Sequence, residues 1–171
     1  MRVVTSESVN IGHPDKTCDT IADAFLDEAL KQDPNSQMAV ECSIKDDKLF
    51  IYGEATTKAQ IDYEKIAREV LKWIGYKNEF HIIKEISEQS PDINQAVVKK
   101  ELCANDQGMV YGYATNETPE YMPLPIIISH KLMKKYDDFR RNTDNYFADA
   151  KGQATIIYDN RKPVAIDTIL V

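Results

Sequence analysis

The sequence predicts an α+β fold: mixed or antiparallel sheet layers covered by helices on one face, in repeated β-α-β-β units. Two observations carry that expectation. Apolar residues recur at spacings of three and four in some segments and at a strict spacing of two in others. The order helix, hairpin, helix, strand is followed by a second helix-plus-hairpin run, so the later half reads as a partial copy of the earlier architecture.

The first helix spans Lys16 to Lys31, where Cys18, Ile21, Ala22, Phe25, Leu26, Ala29 and Leu30 form one apolar stripe, and Asp33-Pro34 ends it. Gln37–Ile44 and Lys48–Thr56 alternate as strands around a Lys45-Asp46-Asp47 turn. With Met38, Val40, Cys42, Leu49 and Ile51 in the core, Glu41 and Glu54 must share the opposite face. A second helix runs from Gln60 to Ile74 and stops at Gly75, and Phe80–Ile86 reads as a strand. The stretch Ser87–Gln107, rich in Pro, Asn and Asp, reads as a long loop. Beyond it come a short strand at Met109–Ala114, a helix at Pro123–Tyr136, and strands at Gln153–Tyr158 and Val164–Val171 joined by Asp159-Asn160-Arg161-Lys162. This arrangement divides into an N-terminal α+β domain over residues 1–100 and an incomplete second α+β domain over 101–171. The uncovered apolar strand at Ala165–Val171 calls for a partner.

Composition narrows the function classes. The 171 residues are 43% hydrophobic and 29% charged, which excludes disordered and low-complexity classes. A formal net charge of -7 repels a phosphate backbone, so nucleic acid is not expected as a partner. Cys18, Cys42 and Cys103 show neither a disulfide framework nor zinc-ligand spacing. No apolar run reaches membrane-span length, so no membrane is expected and a cytoplasmic location fits. No GxxxxGK[ST], GxGxxG or GxSxG pattern occurs.

The chemistry-bearing residues gather in Gly12-His13-Pro14-Asp15-Lys16, just before the first helix and after a loop containing Thr5-Ser6-Glu7-Ser8. A helix start suits an anion, so His13 and Lys16 read as phosphate contacts and Asp15 as a divalent-metal carboxylate. The plainer alternative is a helix cap with Asp15 satisfying backbone N–H groups. Glu41 and Glu54 are either a solvated sheet face or ligands for a metal or an ammonium. His81 and His130 read as structural, and Asp149-Ala150-Lys151 as a turn before a strand.

Thr5-Ser6-Glu7-Ser8-Val9, Gly12–Lys16, Ser90-Pro91-Asp92-Ile93-Asn94-Gln95, Asp106-Gln107-Gly108 and Gly112–Thr118, in this order, closely resemble the S-adenosylmethionine synthetase (methionine adenosyltransferase) family. The resemblance runs from Thr5 to Asp167 but covers only about the first two-fifths of a typical member. It implies transfer of the adenosyl group of ATP to the sulphur of methionine, with cleavage of the released triphosphate. It also implies roles. His13, Lys16 and Lys151 are catalytic at the triphosphate, and Glu54, Gln89, Asp106 and Asp149 contact substrate. Asp15 and Glu7 hold Mg2+, Glu41 holds K+, and Gln89–Lys99 is a gating loop. Ile11 stands where the family usually has Glu, and Asn105 where Gly is usual. Because the family's later segments are missing, the resemblance implies a small catalytic subunit completed by a second, larger synthetase-like chain. The alternative is a non-catalytic regulatory or truncated subunit that pairs with a complete synthetase.

Overall fold

A computed structural model describes residues 1–88, 108–143 and 147–171. The elements are β1 (Arg2–Val9), α1 (Pro14–Gln32), β2 (Gln37–Lys45), β3 (Lys48–Thr56), α2 (Tyr63–Ile74), β4 (His81–Ser87), α3 (Leu124–Arg140), β5 (Lys151–Asp159) and β6 (Lys162–Leu170). The chain forms two compact units: Met1–Thr17 with Lys72–Lys77 and Gly112–Val171, and Cys18–Leu71 with Asn78–Tyr111.

The α+β expectation holds, with one rearrangement. Chain order gives β1-α1-β2-β3 and later β4-α3-β5-β6, but the strands regroup into two sheets ordered β1-β5-β6 and β2-β3-β4. The first sheet is antiparallel throughout; the second is mixed, with β2 antiparallel and β4 parallel to β3.

In the second unit, Val40 and Cys42 of β2 and Leu49 and Ile51 of β3 are buried, while Glu41, Ser43, Phe50 and Tyr52 are exposed. The period-two pattern thus sets one covered face and one open one. Ile21, Phe25 and Ala29 of α1 and Ala67 and Leu71 of α2 complete this core, and the Phe25 ring meets Tyr63 edge-on at 5.0 Å. Gly53 is required where it stands: its φ is +132° and a Cβ there would lie 2.1 Å from the Ala39 carbonyl oxygen. The helix expected from Gln60 begins instead at Tyr63, because the Asp62 carboxylate accepts the Lys65 N–H at 3.1 Å and caps it.

In the first unit, Gly152, Ala154, Ile156 and Tyr158 of β5 are buried beside Met133 and Ser129 of α3. Ser129 donates its hydroxyl to the Ser6 carbonyl at 2.9 Å, tying α3 to β1. The β5–β6 turn has φ of 46° at Asn160 and 68° at Arg161, the paired left-handed residues of a tight hairpin.

Two expectations are corrected. Residues 5–8, read as part of a loop, belong to β1, whose pairing with β5 aligns Thr5 with Thr155. Met109–Ala114, read as a strand, is irregular and pairs with no strand among the described residues. The Ser87–Gln107 loop lies outside the described residues from position 89 to 107, and with it the proposed gating stretch.

Glu117 fastens the start of α3. Its carboxylate accepts the Tyr158 hydroxyl at 2.7 Å, the Leu124 N–H at 3.1 Å and the Thr115 hydroxyl at 3.3 Å. Burial alone would push this carboxyl up, but the hydrogen bonds from Tyr158, Leu124 and Thr115 favour the anion and hold it below its ordinary value. The anion's stabilisation is therefore complete above the ordinary carboxyl value of 4.5 and is lost as pH falls through the lower folded value. Glu117→Gln is expected to cost about 1 kcal/mol at neutral pH, solvent screening keeping the figure small. Thermal melts across the acid range should show a shallower loss for the variant than for the wild type; identical acid slopes would remove Glu117 from this role.

Candidate functional site

The Gly12–Lys16 turn lies between the end of β1 and the start of α1. Pro14 opens the helix with a fixed φ and no N–H to leave unsatisfied. His13 caps it: its carbonyl accepts the Thr17 N–H at 2.8 Å, and its Nδ1 lies 3.3 Å from the Asp15 N–H. The cap is therefore the imidazole and not the Asp15 carboxylate, as the plainer sequence alternative had it. With Nδ1 accepting, the neutral ring carries its proton on Nε2, leaving that N–H available to an anion. The His13 side chain is 21% exposed and that of Asp15 91%, so the carboxylate stands free in the first helical turn. Nδ1 and the Asp15 carboxylate are 3.9 Å apart, beyond hydrogen-bond range.

The turn is held from behind. The Tyr76 hydroxyl donates to the Gly12 carbonyl at 2.6 Å, the Thr17 hydroxyl to the Ile11 carbonyl at 3.1 Å, and the Ile11 N–H to Asp137 Oδ2 at 3.0 Å. A Cβ on Gly12 would fall 2.0 Å from the Ala148 carbonyl oxygen, so the His13 turn and the segment carrying Asp149 touch through their main chains.

Pairing of Val9 with Lys151 brings the start of β5 beside the turn, and Lys151 Nζ sits 3.8 Å from Glu7 Oε2. Both side chains are about 60% exposed, with 62% for Lys151 and 60% for Glu7. Lys16 and Asp149 are exposed as well. His13, Asp15, Lys16, Glu7, Asp149 and Lys151 thus all belong to the first unit.

Glu41 and Glu54 belong to the second unit. Glu41 lies opposite Tyr52 and Glu54 opposite Ala39, so the two carboxylates are diagonal neighbours on the open face, as the alternation predicts. Gln89 and Asp106 lie outside the described residues.

Among the described residues, no group of three His, Cys, Asp or Glu side chains could hold a metal ion alone. Magnesium shared with phosphate takes one or two protein carboxylates and completes its shell from phosphate oxygens and water. The exposed Asp15 carboxylate at a helix start fits that demand. Glu7 can supply the second only by leaving Lys151. Cys42 offers no soft ligand, because burial, then Cys18 and Glu41, push its thiol up to about 12.

Sequence reasoning missed Asn10, Asp137 and Arg140, which anchor the turn. The Asp137–Arg140 spacing of three within a helix was the available signal. A concavity of about 1050 Å³ lined by Arg2, Val4, Tyr113, Glu117, Tyr158 and Arg161 is formed at the opposite end of β1 from Glu7; it takes in part of the Gly112–Thr118 motif but none of the residues named for catalysis, substrate or metal. His130, read as structural, places Nδ1 2.7 Å from the Ser8 hydroxyl on the flank of α3. No helix among the described residues is long and apolar enough to cross a membrane.

These features define an α+β chain with the Gly12–Lys16 turn at the start of its first helix. The profile for the S-adenosylmethionine synthetase N-terminal domain matches residues 1–105, and that for the central domain of the same family matches residues 101–171. The S-adenosylmethionine synthase of Parasynechococcus marenigrum is 43% identical over 189 aligned positions, covering 99% of this chain and 45% of that protein. That of Bacteroides thetaiotaomicron is 47% identical over 182, covering 98% and 42%. That of Thermosynechococcus vestitus is 43% identical over 190, covering 98% and 46%. The chain belongs to the S-adenosylmethionine synthetase family, and it spans just under half the length of these relatives.

Proposed function

We propose that this chain is the small catalytic subunit of a methionine adenosyltransferase, forming S-adenosylmethionine from ATP and methionine, with a second, larger synthetase-like chain completing the active site. The observation that carries the reading is the His13 turn, which brings an imidazole and an exposed carboxylate to the start of α1 beside the exposed side chains of Lys16 and Lys151, in a chain of this family.

In the reaction the neutral thioether of methionine attacks C5' of ATP, a C–S bond forms, and the C5'–O bond breaks toward the triphosphate. The sulphur becomes a sulphonium as negative charge gathers on the leaving group. Alignment and stabilisation of that charge are what the protein must supply. His13 donates from Nε2 to the departing bridging oxygen. Lys16 and Lys151 hold phosphate oxygens, and Asp149 fixes ATP beside them. Asp15, with Glu7 once released from Lys151, would hold magnesium, whose charge neutralises triphosphate both in binding and in its later cleavage to pyrophosphate and phosphate. Glu54, Gln89 and Asp106 contact methionine or its neighbouring substrate, and Glu41 would contribute one carboxylate to a potassium site. The stretch Gln89–Lys99 acts as the lid that excludes water.

The proposal is tested by assaying S-adenosylmethionine formation from the chain alone and together with a larger synthetase-like chain. The chain alone is expected to be inactive and the mixture active, with both polypeptides in one assembly by light scattering. Full turnover by the isolated chain would sink the two-chain reading. A homo-oligomer inactive in every pairing would favour the truncated or regulatory alternative.

A further inference from the structure

Asn10 is 1% exposed and uses every polar atom it has. Its Nδ2 donates to the Ala148 carbonyl at 2.6 Å and to Asp137 Oδ1 at 3.0 Å, while its Oδ1 accepts the Ala150 N–H at 2.9 Å. Its own N–H donates to the Ala150 carbonyl at 3.0 Å, and its carbonyl accepts the His13 N–H at 3.2 Å. The two peptide groups that its side chain grips are those on either side of Asp149. Asp137 is fixed in turn: its other oxygen accepts the Ile11 N–H, and Arg140 Nε donates to it at 2.6 Å while Arg140 Nη2 donates to the Ile74 carbonyl at 2.9 Å.

None of these groups faces solvent as a substrate contact does, and none has a step in the chemistry above. Apart from the side-chain links through Asp137 and the bond from Arg140 to Ile74, their hydrogen bonds end on main chain that leads to His13 on one side and carries Asp149 on the other. A buried amide satisfied in this way admits one geometry, since any slip leaves a donor or an acceptor unpaired in a dry site.

We propose that Asn10 is a positioning residue that locks the His13 turn to the Asp149 segment so that both meet one polyphosphate chain, with Asp137 and Arg140 as its support. The role rests on the phosphate-handling reading given under Proposed function. The logic is that of oriented donors: groups that bind the same anion must be set relative to each other before it arrives.

The test uses the full chain, amide hydrogen exchange, and calorimetric titration with magnesium and inorganic tripolyphosphate. Asn10→Asp keeps the shape but turns a donor into an acceptor that faces the Ala148 carbonyl and Asp137. It is expected to speed exchange at the amides of residues 10, 13 and 150 and to weaken tripolyphosphate binding by about tenfold, the loss of one good hydrogen-bond set, with protection in β2 and β3 unchanged. Adding Asp137→Asn restores a donor–acceptor pair between positions 10 and 137 and should recover part of both effects. If Asn10→Asp does not fold, Asn10→Ser is read in the same way. Unchanged binding despite faster exchange, or exchange that rises throughout the chain with no rescue, overturns the positioning role. A wild type that binds no tripolyphosphate, alone or with the larger chain, while exchange in Asn10→Asp responds as expected overturns the phosphate reading itself and leaves Asn10 as a structural clasp.

Discussion

In the two-chain assembly proposed above, a His13→Asn chain is expected to form S-adenosylmethionine at least about a hundredfold more slowly than wild type and to melt at nearly the same temperature. Asn is chosen because it is among the best helix caps, so it can still accept the Asp15 N–H that His13 Nδ1 now faces at 3.3 Å. What it loses is the second ring nitrogen. His13→Ala would lose cap and donor together, blurring a catalytic loss with about 1 kcal/mol of helix stability. A rate within a few-fold of wild type for His13→Asn would mean that the partner chain carries the whole reaction and that this chain regulates it.

Gly12→Ala is expected to be the most damaging small substitution in the first unit. An added Cβ would sit 2.0 Å from the Ala148 carbonyl oxygen and 2.6 Å from its carbon, with no flexible side chain to yield. One of the two main-chain segments must move, and Asn10 grips both. The expected cost is about 3 kcal/mol, at the upper end of overpacking, or a fall of roughly 6–12 °C in melting temperature. Gly152→Ala should cost less, because its Cβ would meet the movable end of Met133 at 2.6 Å. Gly112→Ala, with nothing within 4 Å, serves as the control. Differential scanning calorimetry of the three variants checks the ranking; a Gly12→Ala chain that melts with the Gly112→Ala control would show that the two loops are not in contact.

How much of this was readable beforehand depended on how local the determining contacts are. The α1 stripe and the β2–β3 alternation were legible because neighbours in sequence decide them, and from them came the shared face of Glu41 and Glu54. β1 was not. Thr5-Ser6-Glu7-Ser8 has no apolar alternation of its own, and it becomes a strand by pairing with β5 across a separation of 150 residues between Thr5 and Thr155. The reverse error at Met109–Ala114 has the same cause: strand-forming residues stay irregular when no edge accepts them. At the site, the motif residues could be named from their spacing. Asn10 could not, since its partners Asp137, Ala148 and Ala150 are distant in sequence and the match of a single Asn to main chain leaves no pattern.

The pairing of β1 with β5 also sets a timetable for the newborn chain. On the ribosome, the strand that leads into His13 emerges before β5 and then waits for it, roughly seven to thirty seconds at about 5–20 residues per second. Most of the second unit is synthesised within that interval. High contact order of this kind slows closure of the first sheet and leaves the edges of β1 open to wrong neighbours meanwhile. The polar Thr5-Ser6-Glu7-Ser8 run, unhelpful to anyone reading the sequence for strands, keeps that waiting segment from being a sticky one. The turn that carries His13 is thus made well before the strand that fixes its shape.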